Sequence, residues 1–315
     1  MIASEKVGDD KPGGRRSSAQ SDSYRLAVGD GLRAPSRTAV LTAVARDLYR
    51  QEPPPVLFDD DLALGLAGEE GPALRERLRS ELPRSQVMAF SRWVCIRSRF
   101  AEDLAEKAVG SGVNQYVILG AGLDSFAYRR DDLMGRLRVF EVDHPASQLW
   151  KQKRLGELGV GLPDGLVFAS VDFEHESLPA GLGNAGFEFR RPALFSWIGV
   201  TMYLTLDAIG ATLGTIAQCQ AGTKVVLTYN QPSHALDEFS RRVTSTFTAI
   251  ATEMGEPFVS LFLPSEIEDL LRGHGLKDIA HFGPQEARAV YFDGRSDVEI
   301  AGAQRVVVGT VGPPT

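Results

Sequence analysis

The segment Tyr116-Val117-Ile118-Leu119-Gly120-Ala121-Gly122-Leu123-Asp124 constrains the fold of this chain more than any other. A short apolar run without polar alternation describes a strand buried on both faces, as in a parallel sheet. The run stops at Gly-x-Gly. Two glycines at the carboxyl end of such a strand let backbone approach a ligand closely, and open α/β sheets bind nucleotide-like ligands at that edge. Ser125 stands where the dinucleotide fingerprint has its third glycine. Gly-x-Gly alone is a weak signal, and its meaning depends on the rest of the chain.

Downstream of Gly122 the sequence is periodic. Arg138-Val139-Phe140-Glu141-Val142-Asp143 is a second short strand, ending on an acid 23 residues after Gly120. Residues 166–171 form a third, followed by Asp172, and residues 193–198 and 224–229 a fourth and fifth. Helix-compatible segments separate them, an alternation that predicts a doubly wound, mostly parallel sheet. Residues 276–282 and 304–311 read as closing strands, for seven in all. An acid just past the second strand suits a ribose diol, whose hydroxyls a carboxylate can accept from. An acid past the third can accept from the adenine amino group. Strand, Gly-x-Gly, acid, acid is the order expected for an S-adenosylmethionine site, which has no pyrophosphate and less need of the third glycine.

Here the sequence resembles a known family. The stretches 118–124, Phe140-Glu141-Val142-Asp143-His144-Pro145 and Ile198-Gly199-Val200-Thr201-Met202-Tyr203-Leu204 are similar to class I S-adenosylmethionine methyltransferases of the leucine carboxyl methyltransferase group. That group includes many bacterial O-methyltransferases of secondary metabolism. Arg97-Ser98-Arg99-Phe100 and Glu256-Pro257-Phe258 also fit, so the resemblance runs from about Ser36 to Val311. It implies a Rossmann-like methyltransferase core under an N-terminal helical lid that covers the cofactor and builds the substrate pocket. It also implies that Arg97 binds the methionine carboxylate, that Asp143 takes the ribose, and that Asp124 lies on the cofactor side; Arg37 matches a second basic residue near the carboxylate. One departure stands out: the family's usual glutamate before Gly-Val is Ile198 here, and an apolar residue cannot replace its hydrogen bonds to the cofactor, so either fewer polar contacts hold it or a group such as Ser196 compensates.

Bulk properties narrow the function classes. The formal net charge of −7 and the scattered basic residues argue against nucleic-acid binding, which requires a basic surface. Cys95 and Cys219 form no CxxC pattern, and a reducing compartment is the simpler reading. The opening residues carry no apolar signal-peptide core, and residues 192–206 are too short and polar-interrupted to span a bilayer. A soluble cytoplasmic protein is expected, its oligomeric state open.

Three regions are expected. Residues 1–30, rich in Ser, Gly and charge, cannot bury enough surface to offset their ordering entropy and read as a disordered tail. Residues 31–112 read as the helical lid: one helix capped by Ser36 and ended by Pro53-Pro54-Pro55, an acidic loop at Asp59-Asp60-Asp61, and a second helix from Arg92 to Val109. Residues 113–315 read as the cofactor-binding core, with an inserted helical segment, 233–262, overhanging the active site. Ser265-x-x-Glu268 predicts a capping box, and Gly275 ends that helix.

Each candidate residue has a plainer reading beside the functional one. Gly120 and Gly122 are turn glycines or cofactor contacts. Asp124 caps the next helix or faces the cofactor. Glu141 points to the same strand face as Asp143 and is the lesser candidate for the ribose. Asp172 belongs to a solvated acidic loop with Glu174 and Glu176, or contacts adenine with Phe173 packed alongside. Arg97 would ordinarily be a surface charge; its match to the family arginine makes it a carboxylate ligand, where a bidentate pair can form. For methyl transfer no base is decisive. His144 follows Asp143 at a strand end and is either a base candidate or a structural loop histidine beside Pro145, and Tyr203 and Tyr229 could orient a substrate or simply pack. The other histidines show no ligand spacing, so no metal is expected. A carboxylate acceptor is ionised at neutral pH unaided, whereas a phenol usually wants a base, which tilts the reading towards a carboxylate. The expected activity is O-methylation of a carboxylate or hydroxyl on a small molecule, such as a polyketide; the alternatives are a methyltransferase for a protein's C-terminal carboxyl and a non-catalytic cofactor-binding protein.

Overall fold

The computed structural model describes residues 35–52, 56–172 and 175–313. The expectations for the tail, for Pro53-Pro54-Pro55 and for Phe173 fall outside these residues. Seven strands form one sheet: β1 (Gln115–Leu119), β2 (Arg138–Asp143), β3 (Leu166–Ser170), β4 (Leu194–Trp197), β5 (Lys224–Asn230), β6 (Leu276–Phe282) and β7 (Gln304–Val311). Their order is β3-β2-β1-β4-β5-β7-β6. The first five run parallel, and β7 lies antiparallel between β5 and β6. This is the doubly wound, mostly parallel sheet expected. The tips of β2 and β3 are neighbours, because Asp143 pairs in register with Ser170.

Every residue of β1 is buried, which is why its sequence lacks alternation. Successive side chains still point to opposite faces. Val117, Leu119, Phe140 and Val142 join a core with α8 (Leu178–Asn184), α9 (Leu206–Ala217) and α11 (Pro264–Gly273). Tyr116, Ile118 and Val139 join a second core, against Ile96, Ala101 and Ala105 of the long helix that precedes β1.

Four helices come before the sheet: α1 (Arg37–Arg50), α2 (Ala63–Leu66), α3 (Glu70–Glu81) and α4 (Arg84–Gly110). Ser36 caps α1 as expected, its Oγ accepting from Ala39 N–H at 3.3 Å. The fourth starts two turns earlier than the expected residue 92, directly after Pro83, which pre-sets the entry. The remaining helices are α5 (Phe126–Arg129), α6 (Asp131–Met134), α7 (Pro145–Glu157), α10 (Glu238–Glu253) and α12 (Pro284–Tyr291). Val40, Val44 and Leu48 of α1 pack with Leu78 of α3 and with Val243, Phe247 and Ile250 of α10. The inserted helix thus shares a core with the N-terminal helices.

One local expectation is corrected and one is sharpened. The capping acid of α11 is Glu266, which accepts from Leu263 N–H at 2.7 Å; Glu268 lies two residues on and pairs with Arg272 at 3.1 Å. The run Asp59-Asp60-Asp61 is not uniformly solvated. Asp60 is fully buried, because Arg46 and Arg129 converge on it.

Candidate active site

A cavity of about 1050 Å³ opens at the carboxyl ends of β1, β2 and β4, beneath α1, α4 and α10. Gly120 turns the chain out of β1 with φ +66°, and a Cβ there would stand 2.6 Å from Val200 Cγ2, so both backbone and space require glycine. The Gly122 N–H donates to Asp143 Oδ2 at 2.6 Å, and the His144 N–H donates to Oδ1 at 2.7 Å. Asp143 therefore ties the glycine loop to the tip of β2 while lining the cavity. Behind the loop, Arg46 donates to Asp60 and to the Leu123 carbonyl, both at 2.7 Å, and Ser125 Oγ donates to Asp60 at 2.6 Å. Burial pushes the Asp60 carboxyl up, but the charges of Arg46 and Arg129 and the Ser125 bond outweigh it and hold the group below its ordinary value. Sequence reasoning missed this clamp, which ties α1 to the loop after Gly122.

Arg97 is buried on α4, not a surface charge, and lines the cavity. Its Nη1 donates to Gln304 Oε1, its Nε has no partner, and no carboxylate pairs with it among the described residues. Burial lowers its pKa to about 10, so it stays charged at neutral pH. On the opposite side of β1 in the sheet, Asp172 follows β3 and lines the same cavity, with its carboxylate 2.8 Å from His175 Nδ1.

The other candidates divide. Asp124 lines the cavity and accepts from Phe126 N–H at 2.8 Å, while Ser125 holds the N-cap position of α5. His144 caps α7, its Nδ1 accepting from Ala146 N–H at 3.1 Å, and also lines the cavity. Arg37 lines it too, with its side chain 3.7 Å from Glu70 in an exposed pair. Tyr203 lines the cavity, its ring edge-on to Phe258 at 5.6 Å. Tyr229 does not. It shares the face of Val225 and Leu227 in the opposite core, and its hydroxyl sits 2.9 Å from His281 Nδ1, so it cannot orient a substrate here. Glu141 is likewise outside the lining: it is fully buried and paired with Lys151 at 2.6 Å. Ile198 and Ser196 both face the cavity. Three further participants were not singled out as site residues from the sequence, although Glu256 lies in the Glu256-Pro257-Phe258 stretch that fits the family. Glu256 accepts from Ser36 Oγ at 2.5 Å, from Arg37 N–H at 2.8 Å and from Thr38 Oγ1, tying the start of α1 to the segment after α10. Gln304 and Asn230 form the polar wall beside Arg97.

Residues 39–217 match the family model for leucine carboxyl methyltransferase. The chain belongs to the leucine carboxyl methyltransferase family. YktD of Bacillus subtilis, inferred to be an S-adenosyl-L-methionine-dependent methyltransferase, is 28% identical over 283 residues, 83% of this chain and 93% of its own. SCO7813 of Streptomyces coelicolor, inferred to have the same dependence, is 32% identical over 249 residues, 78% of this chain and 83% of its own. A DUF574 family crystal structure from Streptomyces avermitilis superposes with TM-score 0.56 at 16% identity, covering 86% of this chain and 97% of that one, and shares the fold. The protein is thus an S-adenosyl-L-methionine-dependent methyltransferase with a Rossmann-like core.

The cavity of this methyltransferase fits its cofactor on physical grounds. Two acids stand at the adjacent tips of β2 and β3, where a diol and an amine can donate to them. A buried guanidinium with no carboxylate partner among the described residues stands on the other side of β1, where an anionic group would complete it. Among the described residues no His, Cys, Asp and Glu cluster could hold a metal ion, and no helix is long and apolar enough to cross a membrane.

Proposed function

We propose that this methyltransferase acts on an oxygen, carboxylate or hydroxyl, of a small apolar molecule of secondary metabolism such as a polyketide. In this reading Gly120 and Gly122 form the floor under the cofactor, and Asp124 flanks it. Asp143 accepts from the ribose hydroxyls, Asp172 from the adenine amino group, and Arg97 takes the methionine carboxylate. When bound, S-adenosyl-L-methionine supplies a methyl group on a positively charged sulfonium, a strong electrophile. The protein's part is to hold the acceptor oxygen in line at near-attack distance and to keep water out, which can supply on the order of 7–11 kcal/mol of the barrier.

The acceptor compartment carries this reading. Phe90 of α4 and Phe247 of α10 stack at 3.8 Å, and Val243, Met254, Phe258 and Met202 complete an apolar wall. The helices α1 to α4 and α10 act as a lid over it. The acids on that side are engaged in holding the structure: Glu256 fastens the start of α1, and Glu102 pairs with Arg129 and with Arg130 at 3.2 Å. Neither is free to deprotonate a phenol, which favours an acceptor already ionised, a carboxylate. The Glu256 tie also favours a small molecule over a protein C-terminus, since it draws the wall of the compartment together at α1 and the segment after α10.

Incubation with methyl-labelled cofactor, extracts of the source organism and a panel of C-terminal peptides tests this. Label is expected in an organic-soluble product, and its loss in mild alkali marks an ester whereas its retention marks an ether. Label confined to peptide C-termini would sink the small-molecule reading.

A further inference from the structure

We infer that Gln304 is a positioning residue for Arg97: its neutral amide fixes the guanidinium without neutralising it, so the cavity keeps an uncompensated cation for an anionic ligand group. This rests on the reading that Arg97 receives the cofactor's carboxylate.

The orientation of the amide follows from donor chemistry. Trp93 Nε1 donates to Gln304 at 3.2 Å, and Arg97 Nη1 donates to the same atom. Both partners are donors only, so the atom facing them is the oxygen. The Gln304 Nε2 then donates to Asn230 Oδ1 at 2.9 Å. Asn230 ends β5 and Gln304 begins β7, opposite each other in register, so the sheet itself sets the distance between them. From the far side Gly199 closes on the guanidinium: a Cβ there would lie 3.0 Å from Arg97 Nη2. The group is thus held on two sides, with Nε left without a partner.

A buried cation with only a structural role normally meets an acid, because desolvation without a counter-charge is costly. Arg46, Arg129 and Lys151 in this same chain meet Asp60, Glu102 and Glu141. Arg97 meets an amide instead. A glutamate at 304 would have the same reach and would satisfy the cation permanently, closing it to a ligand. Glutamine keeps the geometry and leaves the charge open.

The test compares two probes by calorimetry: S-adenosylhomocysteine, which carries the amino-acid carboxylate, and 5′-methylthioadenosine, which lacks the amino-acid part. Gln304→Glu should weaken the first about tenfold or more and change the second less than about twofold. Gln304→Met, neutral but unable to hold the guanidinium, should show a smaller loss with the same selectivity. Equal weakening of both probes by both variants, or of neither, overturns the positioning role. Arg97→Gln distinguishes the two ways of failing. If it too spares S-adenosylhomocysteine, the carboxylate assignment of Arg97 falls and the role of Gln304 with it. If it is selective while the Gln304 variants are not, the role of Gln304 alone is overturned.

Discussion

Replacing Asp143 by alanine should separate the adenosyl-site reading from a merely structural one. In the free protein the carboxylate accepts two backbone donors, Gly122 N–H at 2.6 Å and His144 N–H at 2.7 Å, and it is partly exposed to the cavity. Alanine removes the tie on the glycine loop, the anchor at the start of α7 and, under the proposed reading, the acceptor for the ribose hydroxyls. Hydrogen bonds to a charged group contribute about 1.5–3 kcal/mol each, but the two backbone donors face a wet cavity and can turn to water, so their loss costs less. The ribose share dominates, and a total of about 2–3 kcal/mol corresponds to a roughly 30- to 150-fold rise in Kd for S-adenosylhomocysteine. Asp143→Asn keeps the volume and one acceptor oxygen and should fall between wild type and alanine. Isothermal titration calorimetry measures the affinities, and a melting curve checks the fold. An alanine variant with wild-type affinity would refute the ribose assignment. One that loses affinity only in proportion to a large drop in Tm would show that Asp143 serves the loop alone.

Two further predictions concern the buried charges that support the site. Asp60 is held below the ordinary aspartate value, so its contribution is present above about pH 4 and is lost as pH falls through the depressed folded value. Asp60→Asn should cost about 3–5 kcal/mol at pH 7, because Arg46 loses its buried counter-charge and Arg129 keeps only Glu102. Urea denaturation should show the gap between wild type and variant narrowing below about pH 4; a gap independent of pH would count against the charge clamp. Glu141→Gln should likewise cost about 3–5 kcal/mol by stranding Lys151, while Glu141→Leu combined with Lys151→Met should cost less than the single change. A double variant as unstable as the sum of its singles would mean that the pair does not act as a unit.

The features legible in the sequence were local, and those hidden from it were relational. The strand before Gly120, the acids closing β2 and β3 and the Ser36 cap each depend on neighbours within a few residues, and each appears where expected. Tyr203 and Tyr229 looked equivalent because both follow apolar runs. The period of two puts Tyr229 on the face of Val225 and Leu227 and Asn230 on the other, but nothing in the sequence says which face of β5 looks into the cavity. That is decided by where α4 and α10 pack. Three consecutive acids read only as an acidic loop, and nothing near them in the chain shows that Arg46 and Arg129, from two different helices, meet Asp60. Glu256 and Gln304 lie over 200 residues from the groups they hold, Ser36 and Arg97, so no window along the chain contains both partners.

The Ile198 departure gains a physical meaning from the same placement. Ile198 immediately precedes Gly199, whose missing side chain leaves room for the Arg97 guanidinium, and both residues line the cavity. An acidic side chain in that wall would stand in reach of the same region as the buried cation. With isoleucine there and glutamine at 304, Arg97 has a hydrogen-bond partner but no paired carboxylate among the described residues. The cost of burying that cation is then left for a ligand's anion to offset; if Arg97 takes the methionine carboxylate as proposed, cofactor binding should depend more on that contact here than in a protein with a glutamate at that position.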